Sequence, residues 1–408
     1  MSQERVVQIQ QRMAEQQLDA VVLYLAENIV LTSGFYVRIP GLGMIAVPRE
    51  GQATLMVADY DLDRARRTWE GDLRTFTAVA DTTGLEGPLT KNLQGLLGVG
   101  PSVDRFLREF AAEHGARGGR VGFEGSFEQV APPILVEPNT VGLPTQEFLR
   151  ATFETEALVD FTDALEDIRS VKLPHDLEKL AIADEIVRFG MDAFRAAATP
   201  GATEAEVRSA IESAICNRGH GYRGVETVRA TCCVAAGDHL LSHGWNYPIT
   251  GSRRIEDGDL VMVEMGTVVD GYWADTTRTL VAGRPGTELQ READAVVRAA
   301  IEAALATAVP GATGGEVDAA ARGVCVASGL DGVYPHQTGH GTGFRYHEMR
   351  PNLVPKGSSV LREGMCLALE PAFYSEALGG GVRHEHNAYV TADGAVPFGS
   401  LDFPFDGP

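Results

Sequence analysis

The residues able to do chemistry crowd into the second half of the chain. Eight of the ten histidines follow residue 210, with only His114 and His175 before it, and all five cysteines follow it too. Three histidines fall within the run His336-Gln337-Thr338-Gly339-His340-Gly341-Thr342-Gly343-Phe344-Arg345-Tyr346-His347. A lone histidine is more often a satisfied core or surface residue than a ligand. The glycines on either side of His340 let backbone approach a bound group closely, and they lift it above that expectation. His243, in Ser242-His243-Gly244-Trp245, is a fourth candidate. The acids come in matched pairs. Gly258-Asp259-Leu260-Val261-Met262-Val263-Glu264 parallels Gly364-Met365-Cys366-Leu367-Ala368-Leu369-Glu370, 106 positions later, and Asp275 parallels Glu385, 110 positions later. Each half of the repeat places one carboxylate after a buried strand and a second about a dozen residues on. Four carboxylates buried together raise one another's pKa and cannot all stay ionised without cations. Divalent metal resolves the conflict, and oxygen-rich ligation with one imidazole suits Mn, Fe, Co or Zn. A single acid of this kind would read as a solvated strand end. Matched positions in two repeats weigh strongly against that reading for all four.

The elements that must carry these residues repeat as well. Pro200-Gly201-Ala202-Thr203-Glu204-Ala205-Glu206-Val207 recurs as Pro310-Gly311-Ala312-Thr313-Gly314-Gly315-Glu316-Val317, 110 positions on. Each copy predicts a helix start, with Thr203 or Thr313 as N-cap and Glu206 or Glu316 completing a capping box. Each helix is expected to run toward a glycine, Gly219 or Gly329. Two similar halves packed about a pseudo-twofold axis would bring the four acids to one point. The first 150 residues alternate strand-like runs (21–25, 43–47, 53–57, 119–123) with helical periodicity at 101–115 and 145–170. They contain no Gly-rich phosphate loop and are assigned no chemistry. A boundary falls near Leu173-Pro174, with Asp176 as the expected cap of a long helix reaching Ala198. The expected division is 1–165 and 166–408.

Composition narrows the partners. The 408 residues carry 35 Lys+Arg against 56 Asp+Glu, a net charge of −21. Such a surface repels nucleic acid and anionic membrane. No stretch of 18 apolar residues offers a membrane span, and the polar N-terminus has no apolar signal core, so a cytoplasmic protein is expected. The five cysteines are odd in number and lack C-x-x-C spacing. They predict buried, inert thiols rather than a disulfide or zinc framework.

Val269-Asp270-Gly271-Tyr272-Trp273-Ala274-Asp275-Thr276-Thr277-Arg278-Thr279, Gly339-His340-Gly341-Thr342-Gly343, Leu369-Glu370-Pro371 and Gly381-Val382-Arg383-His384-Glu385 stand in this order. Together they resemble the pita-bread metallopeptidases: prolidase, aminopeptidase P and their relative creatinase. The resemblance covers about residues 160–400. Leu18-Asp19-Ala20-Val21 through Asn28-Ile29 to Gly34-Phe35 is similar to that family's small N-terminal domain. The resemblance implies an α/β N-terminal domain plus an α+β pita-bread C-terminal domain with an internal pseudo-twofold repeat.

It also implies five metal ligands: Glu264, Asp275, His340, Glu370 and Glu385. Two divalent ions, with Mn preferred over Co, Zn or Fe, would sit about 3.5–4 Å apart around a bridging hydroxide nucleophile. Glu370 would take the water's proton, His243 and His347 would face the substrate as catalytic residues, and His336 and Arg383 would bind substrate or support the ligands. The implied function is hydrolysis of short peptides with proline in second position, by a homodimer acting on a small peptide. Three departures stand out. Glu264 replaces the usual aspartate, Ala372 replaces the glycine of Glu-Pro-Gly, and His386 replaces an acid after Glu385. The second reading is a creatinase-like or ectoine-hydrolase-like enzyme acting on a small non-peptide metabolite without metal, and the third a catalytically dead binding module. Retention of Asp275, His340, Glu370 and Glu385, together with His243 and His347, weighs against both.

Overall fold

The computed structural model describes residues 2–38, 42–76, 101–124, 143–242, 249–400 and 402–407. The chain forms two compact units, Met1–Arg169 and Ser170–Pro408. No helix among the described residues is long and apolar enough to cross a membrane.

In the first unit, six strands make one mixed sheet. They are β1 (Ala20–Leu23), β2 (Gly43–Pro48), β3 (Thr54–Ala58), β4 (Asp72–Phe76), β5 (Val121–Phe123) and β6 (Leu158–Asp160), in the order β4-β3-β2-β1-β5-β6. Helices Pro101–Glu113 and Leu143–Phe153 cover one face, burying Phe106, Phe110, Leu149 and Phe153 against Val22, Ala46 and Met56. The helical periodicity read over 145–170 is broken. Glu154 takes a positive φ of 52°, strand β6 intervenes, and a new helix, Thr162–Ser170, begins where the Asp160 side chain accepts from Thr162 N at 2.9 Å. Pairing to β5 outweighed a local periodicity that either structure could satisfy.

In the second unit, the duplicated sequence folds twice in the same way. Helix Pro174–Ala197 packs on Glu204–Gly219, and Glu288–Thr307 packs on Gly314–Ser328. Between the members of each pair lies the Pro-Gly-Ala-Thr turn, with Gly201 at φ 93° and Gly311 at φ 92°, a conformation that favours glycine. Gly201 N donates to Ile255 O and Ile255 N to Ala202 O, both at 2.8 Å; Gly311 N donates to Leu361 O at 2.9 Å and Leu361 N to Ala312 O at 2.8 Å. Thr203 and Thr313 are the N-caps, and each reciprocal box closes at 3.2 Å from Glu206 N or Glu316 N. Gly329 is an αL cap as expected, whereas Gly219 is the last helical residue and His220 follows it extended. The long helix is capped by Leu173. Asp176 sits in its first turn and accepts from Leu173 N at 2.9 Å, because proline at 174 fixes the start two residues earlier.

The strands of this unit are β7 (Val228–Ala236), β8 (Leu260–Val269) and β9 (Tyr272–Val281), in one antiparallel sheet. A second sheet runs β11-β10-β12-β15-β16, made of β10 (Gly339–Gly341), β11 (Glu348–Leu353), β12 (Cys366–Leu369), β15 (His386–Thr391) and β16 (Gly394–Pro397). The pair β13 (Ala372–Ser375) and β14 (Gly380–Arg383) completes the set. Strands β8 and β9 are buried over their whole length. Cys232, Cys233, Cys325 and Cys366 are buried free thiols, and Cys216 is half-buried.

Candidate metal centre

Strand register sets the site. In the β8–β9 pair, Glu264 stands opposite Thr277 and Gly266 opposite Asp275. Residues two apart share a face, so Glu264, Asp275 and Thr277 lie on one side, and the residue facing Asp275 brings no side chain. Glu264 lies inside β8, whereas its counterpart Glu370 follows the end of β12. In the second sheet, Leu369 pairs with His386. Glu370 and Glu385 are therefore the next residues outward on two neighbouring strands. Strand β10 lies between β11 and β12, where a Cβ at Gly339 would stand 1.9 Å from Ala368 O and one at Gly341 2.2 Å from Arg350 O. Glycine alone fits on either side of His340. The two sheets are stitched together by Asn387, whose Nδ2 donates to Asp275 O at 2.7 Å, and by Glu385 N donating to Thr277 O at 2.9 Å.

Around this seam three groups of ligand atoms each fit within 4.8 Å: Asp275, His340 and His347; His340, Glu370 and Glu385; Glu264, Asp275 and Glu385. The His340 Nε2 is 3.4 Å from Asp275 Oδ2, 3.8 Å from Glu370 Oε1 and 3.9 Å from Glu385 Oε1. His340 Nδ1 lies 2.9 Å from Gly341 O. A carbonyl only accepts, so Nδ1 carries the proton and Nε2 turns its lone pair to the acids. Burial lowers the His340 pKa to about 4, which keeps the ring neutral. Both carboxylate oxygens of Asp275, His340 Nε2 and Glu385 Oε1 are buried without a hydrogen-bond partner. Burial, then the charges of Glu385 and Glu370, push Asp275 well above the usual carboxylate range, and burial with Glu385 does the same to Glu370. Such orphaned acceptors around one imidazole fit a divalent cation, which supplies the missing charge and partners together.

Of the remaining expected residues, His347, His336 and Arg383 lie beside this cluster. His347 Nε2 is 3.9 Å from Asp275 Oδ2, and its ring centroid is 3.9 Å from that of His340. His336 Nδ1 lies 2.8 Å from Gln337 O and 4.0 Å from Glu370 Oε2. Arg383 reaches Glu264. His243 lies outside the described residues. His386 accepts from Arg278 at 3.1 Å on Nδ1 and donates from Nε2 to Gly399 O at 3.2 Å. Burial and Arg278 hold its pKa down to about 3, so it is a neutral spacer where the family pattern has an acid.

Several supporting residues carried no recognised signal. Thr277 Oγ1 donates to Glu385 Oε2 at 2.9 Å and lies 3.3 Å from Glu264 Oε2. Gln337 donates to Glu370 Oε1 at 3.3 Å, and Tyr346 to Glu264 Oε1 at 2.7 Å. Thr277 was findable, since it stands two residues after Asp275 on a strand. Tyr346 and Gln337 come from irregular segments, where no periodicity reports direction.

The profile of metallopeptidase family M24 matches residues 178–392, more than half of the chain. The chain belongs to this family. The creatinase/prolidase N-terminal domain profile matches residues 5–171. The M24 chain is 32% identical to the Xaa-Pro dipeptidase of Lactobacillus helveticus over 65% of its own length and 70% of that protein. It is 34% identical to the Xaa-Pro dipeptidase of Pyrococcus furiosus over 57% of its length and 64% of that one. Its structure is similar to the prolidase of Pyrococcus horikoshii OT3, with a TM-score of 0.76 at 25% identity over 98% of this chain and 99% of the other. M24 membership and the two-domain likeness accord with the α/β plus pita-bread architecture expected from the motifs.

Proposed function

We propose that this protein is a metal-dependent hydrolase of short peptides with proline in second position, an Xaa-Pro dipeptidase or aminopeptidase. The orphaned cluster of Asp275, His340 and Glu385 carries the reading, and the two Xaa-Pro dipeptidase relatives support the substrate class. Asp275, His340, Glu370 and Glu385 would hold divalent metal, with Mn favoured for this oxygen-rich set. When bound, the metal supplies Lewis-acid activation of water and of the peptide carbonyl. Glu370, steadied by Gln337, takes the proton released as water attacks. Neutral His347, at the edge of the cluster, holds the substrate carbonyl by donating a hydrogen bond. His336, beside Glu370, and Arg383, against Glu264, shape and charge the rest of the cavity. His243 is assigned the second substrate-facing role on sequence grounds alone. The resemblance counts a second ion with Glu264 as ligand, and the partners of Glu264 bear on that count. A cytoplasmic homodimer is part of the same proposal; the unpaired thiols support a reducing compartment.

The experiment is hydrolysis of Gly-Pro and Ala-Pro against Gly-Ala and against Xaa-Pro-Xaa tripeptides, before and after chelation. Expected are a preference for the proline peptides, loss of activity on chelation and recovery with Mn. Activity that survives complete chelation would favour the metal-free small-metabolite reading.

A further inference from the structure

The acid at position 264 is already held by the protein. Its Oε1 accepts from Tyr346 Oη at 2.7 Å. Its Oε2 lies 3.3 Å from Thr277 Oγ1 and against the Arg383 guanidinium. Both members of the ion pair are buried, Glu264 at 3% exposure and Arg383 at 1%. The other acids of the cluster contrast with it. Asp275 has two buried oxygens without a hydrogen-bond partner, and Glu385 has one.

A buried charge must find an opposite charge or pay for its lost hydration. Glu264 finds that charge within the chain, in a group that stays protonated at any working pH. The methylene by which glutamate exceeds aspartate carries the carboxylate about 1.5 Å farther from its strand, and in this fold that reach ends at Arg383 and Tyr346. Glu264, Asp275 and Glu385 do offer oxygens within 4.8 Å of one another, so distance alone would admit a second ion. Charge decides otherwise. A dication ligated by Glu264 would share its carboxylate with a guanidinium already in contact through Oε2, a like-charge juxtaposition in a buried site.

From these contacts we infer that the centre takes one divalent ion, on Asp275, His340, Glu370 and Glu385, and that the Glu264–Arg383 pair stands in place of a second ion. The inference rests on the metallopeptidase reading of the site. Arg383 is then a positioning residue. It fixes Glu264 and supplies permanent positive charge beside the metal without occupying a coordination position.

The test uses the full chain, stripped with chelator, reloaded with Mn(II) and desalted. Metal is counted by mass spectrometry and its environment read by electron paramagnetic resonance. Wild type should hold one Mn per chain with the six-line signal of an isolated ion. Glu264→Asp withdraws the carboxylate from Arg383, and Arg383→Met removes the guanidinium. Each variant that keeps the wild-type circular dichroism should rise to two Mn per chain, with an exchange-coupled spectrum. Two tightly held, coupled Mn in wild type would overturn the inference, and so would folded variants that both stop at one. These outcomes separate from the peptidase reading. Xaa-Pro hydrolysis with two ions keeps that reading and sinks this one, whereas a chain that binds no Mn removes both.

Discussion

At the residue scale, the site works by leaving acceptors unsatisfied where they meet. Asp275 and His340 Nε2 are buried without a hydrogen-bond partner, and a bound divalent cation would supply one. Replacing His340 by alanine removes an imidazole whose Nε2 faces Asp275, Glu370 and Glu385 together. We expect Mn affinity to fall beyond the 10–100-fold cost of a supporting residue, with Xaa-Pro hydrolysis abolished and the circular dichroism spectrum unchanged. Thr277→Val tests the supporting role itself. It is close to isosteric but deletes the hydroxyl that donates to Glu385 at 2.9 Å. Calorimetric titration with Mn should show roughly 10-fold weaker binding. An unchanged affinity would mean that Glu385 is oriented by its backbone alone.

At the element scale, what matters is how closely strands approach. Gly339 and Gly341 let β10 lie between its neighbours, and a Cβ at Gly339 would stand 1.9 Å from the Ala368 carbonyl. Gly339→Ala must push β10 and β12 apart, carrying His340 away from Glu370. We expect metal binding to be lost before the fold is, read as absent Mn uptake in a chain that still unfolds cooperatively. The helix starts offer a symmetric test. Thr203 and Thr313 cap equivalent helices through the same box, so alanine at either position should cost about 1 kcal/mol in denaturant unfolding. The two costs should agree, because the local geometry is duplicated even though the helices bury different cores.

At the scale of the whole molecule, the first unit carries a pH dependence unrelated to metal. Glu124 is buried at 1% exposure and accepts from Tyr24 N, Leu25 N and Asn28 Nδ2. Burial outweighs these donors and raises its pKa from 4.5 to about 7, with Glu27 adding repulsion. An acid whose folded pKa is raised stabilises the fold below its unfolded value and loses that contribution as pH rises through the folded value. Stability should therefore fall between about pH 4.5 and pH 7, by at most about 3.5 kcal/mol at ~1.4 kcal/mol per unit. Thermal unfolding of the chain across that range should show the decline, and Glu124→Gln should lessen it. A decline of equal size in the variant would assign it to other groups.

The sequence determined the motifs, the repeat and the chemistry. Matched acids after apolar strands and a histidine between glycines are local statements, legible because strands alternate with period two and helix starts carry their own caps. The repeat itself is seen in the paired turn bonds at Gly201 and Gly311. Less was legible where tertiary pairing overrode a local pattern: the broken helix over 145–170 and Glu264 within its strand rather than at its end. The fate of Glu264 was decided by the tertiary structure alone. Arg383, Tyr346 and Thr277 come from three separate segments, and no spacing in the chain reports that they close on one carboxylate. Contacts between distant segments depend on register and sheet packing, which fix both direction and distance. A linear pattern fixes only the face from which a side chain starts.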